Sequence, residues 1–167
     1  MDPCVKLHGL TIMQVFKKFV RPIMYISETK LTVRYAETDQ MGIVHHSCYP
    51  VWFEAGRTDF IKKLGLPYSE IEKSGVLLPL IELKCLYKGF SRYEDEITVR
   101  TSIKQHNGIK TAFYYEVFKS GCEEPITSGE TVHAWVNRDF KPVNIRKYRP
   151  EINDLIKLAA SPDNNLA

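Results

Sequence analysis

The chain has 167 residues, 44% apolar and 26% charged, which suits one globular domain with its own core and is too short for two comfortable ones. A formal net charge of +3, with no dense run of Lys and Arg, excludes the basic footprint of a nucleic-acid binder. No stretch reaches the ~20 apolar residues of a membrane-spanning helix, and the scattered Cys4, Cys48, Cys85 and Cys122 form no Cys-x-x-Cys pair or disulfide framework, which reads as reduced thiols in a cytoplasmic protein.

Residues 1–23 read as an extension. Ile12, Phe16, Phe19 and Ile23 fall at helical spacing, with Lys17, Lys18 and Arg21 largely off that stripe. Three readings stay open: a segment packed on this domain or a partner, non-native upstream sequence with Met13 or Met24 as the start, and, least favoured, a helix lying on a membrane surface. From Leu31 the period changes to two: Leu31, Val33 and Tyr35 alternate with Thr32, Arg34 and Ala36, as in a half-buried strand. Residues 37–47, small and polar around Gly42, read as a loop. Tyr49, Trp52, Phe53, Gly56, Phe60 and Leu64 then form a wide apolar face at steps of three and four, predicting a helix of roughly four turns stopped by Gly65 and Pro67.

A shorter helix is expected over 68–73, ended by Gly75. Beyond it the pattern is strand: 77–90, then the strict alternation of Ile97, Val99, Thr101 and Ile103, then 109–119 and 126–137. Asn107-Gly108 signals a hairpin with a type I′ turn, Ser120-Gly121 a second turn, and 150–159 a short C-terminal helix. One strand, one dominant helix and three or four antiparallel strands in meander order make an α+β domain. One helix covers one face of such a sheet, and strands this long bury most if the sheet curls around it. The apolar surface left over predicts an oligomer.

The stretch from Tyr35 to Tyr49 joins the first strand to the main helix and carries the polar residues of interest. A helix N-terminus offers unpaired N–H groups and a partial positive charge, suited to the oxyanion formed when a carbonyl is attacked. Asp39 lies close before it in the chain, and Gly42 lets backbone approach a ligand. By itself Asp39 is as good a turn or capping residue. Glu54 and Arg57 are spaced as a helix ion pair. Adjacent His45 and His46 rarely point at one ion, so no metal site is expected, and Cys48 is more readily a packing residue than a nucleophile.

The run Asp39-x-x-Gly42-Ile43-Val44-x-x-x-x-Tyr49, with Thr38 before it and Glu54-Ala55-x-Arg57 on the helix, resembles the signature of 4-hydroxybenzoyl-CoA thioesterase and its YbgC-type relatives. The resemblance continues through Gly89-Phe90 to Asp95-Glu96 and covers roughly residues 28–150. It implies a hotdog fold over 24–150, with 151–167 as a C-terminal helix and tail, and hydrolysis of acyl-CoA thioesters without a cofactor. Asp39 would be the catalytic carboxylate, as nucleophile or as general base on water. The backbone N–H of His46 would polarise the thioester carbonyl, and Gly42, Val44, Tyr49 and Glu54 would lie at the substrate. Lys104, Lys110, Arg138 and Lys141, near strand ends or turns, are the cations expected to meet CoA phosphates. The implied partners are the acyl-CoA substrate and a second copy of the chain, as dimer or tetramer, with sites across the subunit interface. Two alternatives remain: a thioesterase for carrier-protein-borne acyl groups, and an acyl-CoA-binding module without turnover. A hotdog dehydratase would need a different pairing of His and acid.

Overall fold

Residues 25–160 are described by a computed structural model; the reading of 1–23 falls outside them. Strand β1 covers Ser27–Thr32, and a single 3-10 turn at Tyr35–Glu37 leads into the loop before helix α1, Cys48–Lys63. A short helix α2, Tyr68–Lys73, and strand β2, Val76–Leu77, follow. The long strands are β3, Leu80–Tyr87, β4, Glu96–His106, β5, Lys110–Lys119, and β6, Thr127–Ala134. Strand β7, Val136–Asn137, and helices α3, Ile145–Tyr148, and α4, Pro150–Ala159, complete the chain.

The apolar stripe of α1 lies against the sheet. Tyr49, Trp52, Phe53, Gly56 and Phe60 are buried, joined by Arg57 and Ile61, while Leu64 sits at the rim. Opposite them, Ile97, Val99, Thr101 and Ile103 of β4 point inward as their alternation predicts. Gly56 sets the spacing: a Cβ there would stand 2.6 Å from Thr101 Oγ1 and 2.9 Å from Val99 Cγ1, so only glycine lets the helix backbone rest on β4. Phe53 stacks on Tyr115 of β5 with centroids 4.6 Å apart. A five-stranded antiparallel sheet thus wraps one helix, the arrangement expected. Helix α4 packs on the same core through Ile152, Ile156 and Ala159.

The order of strands corrects the expected meander. It is β1-β4-β5-β6-β3, so β4, β5 and β6 follow one another but β3 crosses to the far edge and pairs with β6. The expected strand 77–90 breaks at Leu78-Pro79, where the proline has no N–H for a ladder. The expected strand 126–137 also breaks, at Trp135, and Val136–Asn137 pairs instead with Val76–Leu77 as a second, two-stranded sheet. Strand β1 begins and ends about four residues earlier than its alternation suggested, because Tyr35–Glu37 turns away. The 106–111 hairpin forms, but only Gly108 has positive φ there, so the turn is not type I′; the Asn107 side chain accepts from the N–H groups of Ile109 and Lys110 in its place.

Candidate active site

The loop of residues 37–47 is tied down from both sides. Thr38 bridges Val44, His45 N–H donates to the Glu37 carbonyl at 2.8 Å, and Val44 N–H donates to the Ser91 carbonyl at 2.9 Å. Within it, the N–H of Gly42 donates to the Asp39 carbonyl and that of Asp39 to the Ile43 carbonyl. Gly42 has φ +73°, which the turn's backbone requires, and no protein atom stands within 4 Å of where its Cβ would be. Asp39 is half-buried. Its Oδ1 accepts from Met41 N–H at 2.8 Å, an Asx turn, while Oδ2 has no partner among the described residues. One oxygen holds the loop and the other is open.

Helix α1 starts just beyond, without a side-chain cap at Ser47. The backbone N–H of His46 has no acceptor among the described residues, and its carbonyl accepts from the Tyr87 hydroxyl at 3.0 Å. The His45 and His46 rings lie 4.0 Å apart, centroid to centroid, and His45 Nδ1 is 2.8 Å from Ser47 Oγ. Cys48 does not pair with His45: its thiol donates to the Glu37 carbonyl at 3.6 Å, and burial with the Glu37 charge beside it pushes its pKa up, away from a thiolate nucleophile. Among the described residues no three His, Cys, Asp or Glu side chains converge as a metal site requires.

Two residues earlier than Asp39 stands the residue that fixes this loop, Glu37, whose carboxylate is buried. It accepts from Arg34 N–H at 2.8 Å, from Arg34 Nη2 at 2.9 Å and from Trp52 Nε1 of α1 at 3.1 Å. Burial opposes its charge, but the hydrogen bonds from Arg34 and Trp52 outweigh it and hold the carboxyl below the ordinary carboxylate range. Its sequence neighbourhood gave one signal for this, the Arg34-x-x-Glu37 spacing.

Other expected site residues are placed differently. Val44 and Tyr49 are core residues, 4% and 2% exposed; Tyr49 packs edge-on against Tyr87 at 5.3 Å and so supports the group that holds His46. Glu54 is exposed and makes no ion pair with Arg57, which corrects the helix-pair reading. Arg57 faces inward. A cavity of about 180 Å³ starts beside Pro50 and Val51 in the first turn of α1, passes Glu54 and Arg57, and is walled by Leu80 and Leu83 of β3 and by Tyr115, Thr131 and His133. A larger depression of about 690 Å³ along β1 and β4 holds none of the expected site residues.

The four cations are not brought together. Lys104 pairs with Glu130 at 2.5 Å on the sheet face turned away from α1. Lys110, Arg138 and Lys141 are exposed at the end of the sheet where β4 finishes, roughly 30 Å along that strand from the end that carries the Asp39 loop. Besides Arg34, which Glu37 engages, cations near the loop include Lys88, next to Tyr87, and Arg92, next to Ser91 and lying 5.2 Å from the Phe90 ring. Position 92 falls inside the Gly89–Glu96 stretch of the resemblance, which was the signal for it.

The model of the thioesterase-like superfamily matches residues 33–156. The chain belongs to that family. It is a hotdog-fold thioester hydrolase. It is 43% identical over 77% of its length, and 93% of the relative's, to a Bacillus subtilis protein named "Putative acyl-CoA thioesterase YneP". Acyl-acyl carrier protein thioesterase ATL3 of Arabidopsis thaliana is 29% identical over 71% of the chain and 62% of that relative. Among solved structures, the DHNA-CoA thioesterase of Staphylococcus aureus superposes with a TM-score of 0.76 at 34% identity, covering 79% of this chain and 89% of that one. No described helix is long and apolar enough to cross a membrane.

Proposed function

We propose that this chain hydrolyses acyl-CoA thioesters with Asp39 as the catalytic carboxylate and the His46 N–H as donor to the thioester oxygen. The observation that carries this is that one loop, held by Glu37 and Val44 just before α1, carries both an Asp39 Oδ2 and a His46 N–H without partners among the described residues. The N–H and the helix dipole stabilise the oxyanion as the carbonyl carbon is attacked. In one route Asp39 attacks, the C–S bond breaks, CoA leaves as thiolate and takes a proton, and water then cleaves the mixed anhydride. In the other, Asp39 takes a proton from water, whose oxygen attacks the carbonyl carbon, and the same C–S bond breaks. The acyl group extends along the cavity beside α1, past Glu54. The phosphates of CoA meet Lys88 and Arg92 in place of the four cations first considered.

Two copies pair through β3. That edge strand exposes Leu80, Ile81, Leu83, Leu86 and Tyr87, an unpaired apolar edge that soluble proteins cover. Thiols unpaired at Cys48, Cys85 and Cys122 fit a cytoplasmic setting.

A thiol-release assay over acyl-CoAs and matched acyl-carrier-protein substrates tests the reading, run on wild type and Asp39→Asn. Wild type releases CoA, and Asp39→Asn is slower by about a thousandfold. A variant as fast as wild type removes Asp39 from the mechanism. Faster turnover of carrier-protein substrates favours the second reading, which the similarity to ATL3 supports. An acyl adduct on Asp39 in a rapid quench marks the nucleophilic route. Leu83→Lys shifts the sedimenting species to monomer if β3 is the pairing edge.

A further inference from the structure

We infer that Arg57 ends the acyl pocket and selects an acyl chain that terminates in a carboxylate, that is, the mono-CoA thioester of a dicarboxylic acid; this rests on the thioesterase reading above. Arg57 is 9% exposed, and its Nη1 is buried without a hydrogen-bond partner. No carboxylate among the described residues pairs with it; beside it lie the Tyr115 hydroxyl and the Tyr68 ring, 5.4 Å from the guanidinium carbon, and both are uncharged. The buried Nη1 therefore keeps a free N–H, and the guanidinium a charge without a counter-ion, for an incoming anion.

The cavity's other polar groups cannot supply negative charge. The Leu78 carbonyl only accepts, so His133 Nδ1, 3.1 Å away, carries a proton. His133 Nε2, 2.9 Å from Thr131 Oγ1, then accepts from that hydroxyl, which in turn accepts from the Tyr115 O–H at 2.8 Å. All three groups are neutral, so none of them supplies a counter-charge to the guanidinium. Burial and the Arg57 charge depress the His133 pKa to about 4, so the ring stays neutral at physiological pH.

The cavity opens beside Pro50 and Val51 in the first turn of α1, just beyond His46, and Arg57 lies two turns past Pro50, roughly 10 Å along the axis. A hydrocarbon tip would leave the guanidinium uncompensated, whereas a carboxylate forms charge-assisted bonds with it. Glu54, one turn nearer the thioester, repels a carboxylate that stops short. Reach to Arg57 therefore sets a minimum chain length.

The test measures kcat/KM for hexanoyl-CoA, its terminally hydroxylated analogue and adipoyl-CoA, with wild type, Arg57→Lys and Arg57→Met. The expected wild-type preference for adipoyl- over hexanoyl-CoA is at least about tenfold, lost in Arg57→Met and partly kept in Arg57→Lys, which retains the charge. Adipate alone raises the melting temperature of wild type and not of Arg57→Met, a readout that needs no turnover. A wild type that releases CoA but prefers the hexanoyl or hydroxylated chain overturns the assignment. So does an Arg57→Met variant in which all three rates fall in proportion. Absence of CoA release from every substrate counts against the thioesterase reading instead.

Discussion

The loop before α1 and the hydrogen-bond chains behind the helix are both polar and both pack on the same core, but they differ in what they leave unpaired. In the loop, Glu37 is charged and saturated with donors, while Asp39 Oδ2 and the His46 N–H are open. Behind the helix, Tyr115, Thr131 and His133 close on Leu78, and His106 bridges Thr111 and Asn153, with Trp135 Nε1 also donating to Thr111. These rings and hydroxyls are neutral and spent. Polar groups that are satisfied specify the fold, and those held open on a satisfied support are available for chemistry.

The largest effect should come from removing the support. Glu37→Ala strips the buried acceptor from Trp52 Nε1 and two bonds from Arg34, and should cost about 3 kcal/mol in chemical denaturation. It should also lower kcat by more than about tenfold, because the loop carrying Asp39 loses its tie to α1; Glu37→Gln, which keeps an acceptor for Trp52, should recover part of both. A Glu37→Ala variant with normal kcat would separate the loop's anchoring from catalysis. The closed chains should respond to acid. Folded His133 titrates near pH 4 and an unfolded histidine near about 6.5, so between these values only the unfolded chain takes the proton. Stability is then full above the unfolded value and lost as pH falls toward 4, by on the order of 2 to 3 kcal/mol from this ring. His106, also lowered by burial, adds to the same slope. Denaturation midpoints from pH 7.5 to 4.5 should fall more gently in His133→Gln than in wild type.

What could be read in advance divides along the same line. Trp52, Phe53 and Phe60 announce α1 because packing one helix face requires their spacing, and Asp39 is marked by its place before that helix. Glu37 reads as a loop residue because its burial depends on Trp52, a residue of the following helix. Arg57 reads as the partner of Glu54 in a helix ion pair for a similar reason: its charge hides that it shares the inward phase of Phe53 and Phe60. The far-edge position of β3 follows from pairing with β6, more than forty residues later in the chain, and no local pattern encodes it. The pairing of Lys104 with Glu130 is equally hidden, because a bulge between Ile103 and Gln105 interrupts the strand's alternation there.

Smaller substitutions can separate the two assemblies further. Thr111→Val leaves Trp135 Nε1 and His106 Nδ1 without their shared partner, in a buried region where neither finds water. The expected loss is about 1 to 2 kcal/mol in stability, with kcat within error of wild type, since this network lies at the sheet end opposite the Asp39 loop. Tyr87→Phe is the finest probe. It removes a single exposed hydrogen bond, from the hydroxyl to the His46 carbonyl, and keeps the ring that packs on Tyr49. Stability should change by only about 0.5 kcal/mol, within the range of a surface hydrogen bond. The rate should nevertheless fall several-fold at unchanged KM, because the same peptide segment presents the His46 N–H to the developing oxyanion. If Thr111→Val instead lowers kcat while Tyr87→Phe does not, the division between support for fold and support for chemistry drawn at α1 is in the wrong place.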